Sequence, residues 1–99
     1  MSYLVVVAHS AEEQFQKLDA RWRSALKRAL RKHLETAPAK QSKSRIKRLR
    51  GLRQPQYCLR VDEMRVFHDI NAQEKRVEVL GFVKKPQTFQ WLQDYGAPQ

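Results

Sequence analysis

Residues 56–70, QYCLRVDEMRVFHDI, constrain the fold more than any other stretch of the chain. Two runs, 56–61 and 64–70, alternate in polarity and are separated only by Asp62-Glu63. Successive side chains of a strand point to opposite faces, so this pattern specifies an antiparallel hairpin with two distinct faces. Tyr57, Leu59 and Val61 share one face, and Cys58 and Arg60 the other. In the second run Met64, Val66, His68 and Ile70 oppose Arg65, Phe67 and Asp69. A two-stranded hairpin is marginal in water and needs further strands or a covering helix.

The remaining segments supply both. Residues 76–83 (RVEVLGFV) read as a further strand, with Val77, Val79, Gly81 and Val83 on one face by strict alternation. Residues 3–8 (YLVVVA) read as a strand buried on both faces or paired on both sides. Ser10 and Glu13 have the spacing of a capping box, which predicts a helix from there to about Lys17. Leu18, Trp22, Ala25, Leu26, Ala29, Leu30 and Leu34 recur at spacings of three and four, which predicts a second helix over about 19–36. Its other positions carry Arg21, Arg23, Lys27, Arg28, Arg31 and Lys32. A basic amphipathic helix also suits a membrane surface, but here the strands that follow need its apolar stripe. Residues 37–44 form a polar loop, and 45–52 a basic extended or turn segment ending near Gly51. Pro86 suits the first turn of a last helix, and Gly96 and Pro98 end it. The expected order is β-α-α-β-β-β-α. It gives one α+β domain over 1–99: an antiparallel sheet, a helical hairpin on one face and a short C-terminal helix. The opposite face is expected to be uncovered and to carry Arg60, Arg65 and Phe67, with Lys84 and Lys85 at the strand's end.

Charge narrows the partner. The net charge is +10, and between Arg21 and Arg53 thirteen Lys and Arg face one acid, Glu35. That imbalance points to a polyanion: RNA, DNA, an acidic membrane surface or an acidic protein. A basic sheet face with aromatics suits single-stranded RNA, whose phosphates meet Arg and Lys while its bases stack on rings. No apolar run approaches the about 20 residues of a spanning helix, and the N-terminus lacks the basic start of a signal peptide, so the cytoplasm is the expected compartment. A single cysteine, Cys58, excludes an internal disulfide. No histidines show metal-ligand spacing, no carboxylate pair suggests acid–base work, and no Gly-rich phosphate loop is present. Alternation places His68 on the helix-covered face, where a hydrogen-bonded core residue is the default. His9 and His33 have no motif around them.

The segments RLRGL, QYCLRVDEMRVFHDI and RVEVLGFVKKPQTFQWL, in this order and spacing, resemble the RelE/ParE superfamily of bacterial toxins. The matching positions are Arg48-Leu49-Arg50-Gly51, Leu59-Arg60, Met64-Arg65-Val66-Phe67, Val77 to Val83, and Lys84-Lys85. The tail KKPQTFQWL favours the RelE-like branch, in which a basic residue ends the last strand and an aromatic follows about six residues on. Lys85 and Trp91 hold those positions here, where the RelE pattern has arginine and tyrosine. Gln56 and Cys58 stand where RelE carries basic residues.

The resemblance implies a type II toxin, an mRNA interferase cleaving ribosome-bound mRNA without metal or cofactor and held inactive by a cognate antitoxin. Its implied chemistry is attack of a ribose 2′-OH on the adjacent phosphate. Arg65 leads the implied catalytic set, followed by Lys84, Lys85, Trp91 and His68, with Tyr95 as a substitute aromatic acid or base. Arg60, Arg45, Lys47, Arg48, Arg50 and Arg53, with Lys27, Arg28 and Arg31 on the helix, are the implied contacts to mRNA and ribosome. The superfamily's other branch implies a DNA gyrase inhibitor without nuclease activity. A third reading is a non-catalytic nucleic-acid-binding module.

Overall fold

A computed structural model of the chain describes residues 2–98. Strand β1 (Leu4–Val7) leads to helix α1 (His9–Gln16) and helix α2 (Ala20–Ala29), which continues as a π-helical turn over Leu30–Leu34. Strands β2 (Ile46–Arg48), β3 (Leu52–Gln54), β4 (Tyr57–Val61), β5 (Met64–Asn71) and β6 (Arg76–Lys84) follow. A 3-10 turn (Lys85–Gln87), helix α3 (Thr88–Tyr95) and a short strand β7 (Ala97–Pro98) end the order. Five strands form one sheet in the order β1-β6-β5-β4-β2, and β3 pairs with β7 separately. This is the expected α+β architecture.

The hairpin folds in the register that its alternation dictates, from Tyr57 opposite His68 to Val61 opposite Met64. Asp62 takes φ 52° in the connecting turn, a left-handed conformation that Asp tolerates better than most residues. Asp19 caps α2 by accepting from the Trp22 backbone N–H at 3.0 Å.

Two expectations at the N-terminus are corrected. β1 is an edge strand, parallel to β6, so the sheet is not wholly antiparallel. Only Val5 and Val7 pack toward the helices, and Leu4 is left 63% exposed. The capping box does not form: α1 begins at His9 after Ala8, which makes no side-chain cap. Ser10 therefore lies inside the first turn, and Glu13 pairs with His9 at 2.9 Å instead.

The sheet carries apolar material on both faces. Leu26, Leu34, Leu59, Val66, Val77 and Val79 are fully buried between the sheet and α1–α2. Each such side chain contributes about 1.5–3 kcal/mol relative to exposure. On the other face Cys58, Phe67, Val83 and Trp91 form a second cluster under α3.

The sequence expectation of an uncovered face fails because α3 packs on it, partly on residues that a bulge in β6 turns to that side. Phe67 pairs with Gly81 but His68 with Val79, so Leu80 is an extra residue in β6. This bulge reverses the facing of everything after it. Phe82 joins the α1–α2 core, while Gly81 and Val83, expected beneath the helices, turn to the α3 side. Gly81 is needed there, since a Cβ at that position would lie 2.5 Å from Trp91 Cζ2. Among the described residues no helix is long and apolar enough to cross a membrane.

Candidate nucleic-acid interface

The face away from α1–α2 is built in rows across the sheet. Lys47, Cys58, Phe67 and Gly81 are cross-strand partners in one row, and Arg60, Arg65 and Val83 in the next. Partners directly opposite in an antiparallel pair have Cβ atoms about 4.5–5.5 Å apart. The row structure therefore sets Arg60 beside Arg65, with Lys47 one row away. The Cys58 thiol registers all three. Burial pushes its pKa up to about 11, while Arg65, Arg60 and Lys47 act against that rise. Cys58 is thus a neutral thiol in a cationic setting, not a nucleophile.

Arg65 is half-buried, and its guanidinium folds over the hairpin turn. Nη1 donates to the carbonyl oxygens of Asp62 and Met64, both at 2.9 Å. The Lys85 backbone N–H donates to Glu63 O at 2.8 Å, so Lys85 and Arg65 are anchored to the same turn. Among the described residues no carboxylate forms an ion pair with Arg60, Arg65, Lys47 or Lys85.

Other expected members of the site are placed elsewhere. Lys84 is the cross-strand partner of Met64 and so shares the α1–α2 side of the sheet. It borders a hollow of about 450 Å³ between α1 and α3. The bulge at Leu80 is what separates it from Arg60 and Arg65. Arg48 also faces the α1–α2 side. Its guanidinium lies 5.2 Å from the Tyr57 ring and donates to the carbonyl oxygens of Gln56 (2.7 Å) and Leu49 (3.2 Å). Arg45, Arg50 and Arg53 are exposed around this edge, and Lys27, Arg28 and Arg31 on the solvent side of α2 and the π-turn.

The two aromatics expected at the site are interior. Phe67 is fully buried, and Trp91, 9% exposed, stacks on it with centroids 4.7 Å apart and planes within 6°. Neither ring offers a free face to a base. The exposed rings on α3 are Phe89 (73%) and Tyr95 (66%), and Tyr95 touches the edge of Trp91 with centroids 5.4 Å apart. The sequence signal for this was the helical spacing itself. Trp91 lies ten residues beyond Gly81, so a helix turning back over the bulge brings the largest side chain onto the residue without one.

His68 is on the α1–α2 side, as its strand parity implies, and it is fully buried there, which removes it from the implied catalytic set. Its Nε2–H donates to the Pro38 carbonyl at 3.1 Å, which leaves Nδ1 as an acceptor with no partner. The ring stacks on Tyr57, with centroids 5.4 Å apart. Burial holds its pKa below the usual histidine value, against smaller opposing effects from the Pro38 hydrogen bond and Asp69. It is therefore a neutral core residue with no access to a surface-bound substrate. Among the described residues no group of three or more His, Cys, Asp or Glu is arranged to hold a metal ion.

The fold has relatives among solved structures. No protein-family model matches the chain, and no curated protein matches its sequence. The archaeal RelE of the RelE–RelB complex from Pyrococcus horikoshii superposes with a TM-score of 0.70 at 22% identity, over 86% of this chain and 97% of that one. The RelBE2 toxin–antitoxin complex of Mycobacterium tuberculosis gives 0.70 at 20% identity, over 85% and 99%. A mutant of the E. coli toxin RelE in the free state gives 0.68 at 21% identity, over 92% of each chain. The chain has a RelE-like toxin fold.

Proposed function

We propose that the chain is the toxin of a toxin–antitoxin pair, and that it is a metal-independent endoribonuclease acting in the cytoplasm on ribosome-bound mRNA. The observation that carries this reading is the Arg60–Arg65 cross-strand pair. Like charges directly opposite on a sheet are destabilising. Two arginines at directly opposed cross-strand positions, neither paired with a carboxylate among the described residues, with Lys47 in the next row, fit a site that is completed by an anionic ligand. Arginine holds two phosphate oxygens at once and so matches a phosphodiester.

In the proposed reaction the ribose 2′-OH attacks its own 3′-phosphate. The new O–P bond closes a 2′,3′-cyclic phosphate, and the bond to the next nucleotide's 5′-oxygen breaks. The 2′-OH gives up its proton as the ring closes, and the departing 5′-oxygen takes up one proton and leaves as a 5′-OH, so the step is proton-neutral overall. Negative charge builds on the equatorial oxygens of the phosphorane, and cations aimed there stabilise the transition state more than the ground state. Arg65 is held over the turn by two carbonyls and supplies the guanidinium. Lys85, anchored to the same turn, supplies the second charge, and Arg60 grips a flanking phosphate. Exposed Tyr95 brings the one phenol on α3, which donates or accepts a proton-bearing contact in the way Trp91 does not. The ribosome supplies orientation, worth several orders of magnitude in rate. Residues Lys27, Arg28 and Arg31 add phosphate contacts to ribosomal RNA.

The RelE–RelB complex from Pyrococcus horikoshii contains such a chain with its partner. An antitoxin here would lie along the cationic face and the exposed Leu4–Val6 edge, through acidic and apolar side chains. Induced expression should arrest growth and create new mRNA 5′ ends at codons in the ribosomal A site, read by primer extension. Intact mRNA together with linearised plasmid DNA and SOS induction would instead mark a gyrase poison.

A further inference from the structure

Two hollows on the far side of the hairpin from α3 share one wall. The first, about 360 Å³, opens between α2 and the end of β4, and is bordered by Arg28, Lys32, Arg45 and Arg60. The second, about 280 Å³, continues past the π-turn toward the loop 37–44 and adds Lys40, Thr36 and Ser42. Lys32, His33 and Arg45 border both, so the hollows form one continuous trough. Its helical wall follows a four-residue row: Ala25, Ala29, His33 and Ala37. Three positions of that row are alanine, and the fourth is an imidazole. The trough is open because of the alanines, and His33 is the one large side chain of that row. Among the described residues no carboxylate forms an ion pair with any of the flanking cations.

We infer that this trough, flanked by Arg28, Lys32, His33, Lys40, Arg45 and Arg60, is a binding site for the phosphodiester backbone of RNA. Cations stand on both walls, as a linear polyanion running between them requires. An acidic protein segment fits less well, since such segments anchor through large apolar side chains. The apolar residues here are alanines and the buried Ile46 and Val61, so the trough offers no large exposed apolar side chain for such an anchor to pack against.

The ligand should also couple to a proton. Burial, then Arg45, then Lys32 hold the pKa of His33 below its usual value. Arg28 on the same helix, Lys40 from the loop and Arg60 from β4 add positive charge around the trough, and Asp62 is the acid at its rim. A phosphate seated among these groups cancels the repulsion, so His33 takes up a proton on binding. Affinity therefore rises as pH falls through the histidine range.

The inference rests on the RNA-directed reading for the identity of the polyanion and is independent of cleavage. Its test uses a short single-stranded RNA, 2′-O-methylated at every ribose and so without an attacking hydroxyl, with fluorescence anisotropy as readout. Single-strand binding loses about 0.7 in log–log salt slope per phosphate contact. The double variant Lys32→Gln/Arg45→Gln should flatten the slope by about 1.4, so that the wild type loses about seven-fold more affinity than the variant between 50 and 200 mM salt. The charge-preserving Lys32→Arg/Arg45→Lys should keep the wild-type slope. His33→Gln should remove the gain in affinity between about pH 7.5 and 5.5. Lys75→Gln/Arg76→Gln, with the same loss of charge near β1, should leave the slope unchanged. An unaltered slope in the trough variant, or equal flattening in the Lys75/Arg76 control, overturns the site. Displacement of the RNA by poly-glutamate at equal charge concentration would mark an acidic-protein site and overturn it too. Failure of the nuclease reading alone, with unmethylated RNA left intact, would not touch these results.

Discussion

Phe67 and Trp91 stack face to face across the interface of β5 and α3, with ring centroids 4.7 Å apart. The pair seals the sheet face that the hairpin arginines share, and it closes over Gly81, where a methyl group has no room. The C-terminal helix is therefore a structural third layer, and its anchor residue is Trp91, one of the residues that the sequence resemblance had implied for catalysis.

Trp91→Ala should cost about 3–5 kcal/mol of stability, the range for deleting a large buried aromatic. Gly81→Ala should cost less but act on the same contact, because Trp91 must move away from the new Cβ. Urea denaturation of the two single variants and the double variant checks this. The double variant should be less destabilised than the sum, since the two residues touch.

Arg65→Ala should abolish RNA cleavage, by about 10²–10³ in rate if its guanidinium contacts the phosphorane. Truncation also removes two hydrogen bonds to turn carbonyls, at about 0.5–1.5 kcal/mol for each bond. The lower end applies here, because the carbonyls are at a half-exposed turn that water can reach. The protein should thus stay folded while losing activity, and primer extension with a urea curve separates the two effects. A folded and fully active variant would move the site off this face.

Acidification should destabilise the fold. His68 has a folded-state pKa below the value of about 6.5 that it takes in the unfolded chain, and His33 is shifted in the same direction. Where the folded pKa is depressed, the unfolded state binds more protons at low pH, so stability is full above pH 6.5 and declines as pH falls below it. Urea midpoints from about pH 7.5 down to 5 should show that decline. His68→Gln should flatten it, because an amide retains a donor to the Pro38 carbonyl and does not titrate there.

Cys58 should resist alkylation in the native protein at neutral pH. A thiol with a pKa near 11 has almost no thiolate at pH 7.5, and the side chain is buried. Iodoacetamide labelling should therefore follow unfolding, rising across the urea transition. Fast labelling in the native state would show that the α3 layer opens.

The hairpin, its register and the helical stripe from Leu18 to Leu34 were legible in the sequence because each is a local pattern with a fixed geometric period. The side on which Arg60 and Arg65 stand follows from that parity alone. What only the tertiary structure decided begins at Leu80. One inserted residue reverses the facing of Gly81, Phe82, Val83 and Lys84, and no periodicity marks it, because apolar residues occupy both phases of that strand. The same holds for β1, whose uniform Val-rich run does not say how many neighbours it has. His68 was assigned to the covered face by parity, but its neutral state comes from enclosure and from the Pro38 carbonyl, thirty residues away in the chain. Alternation fixes which face a residue takes within a regular strand. Bulges, edges and burial depend on what packs there, and that is settled by contacts between segments distant in sequence.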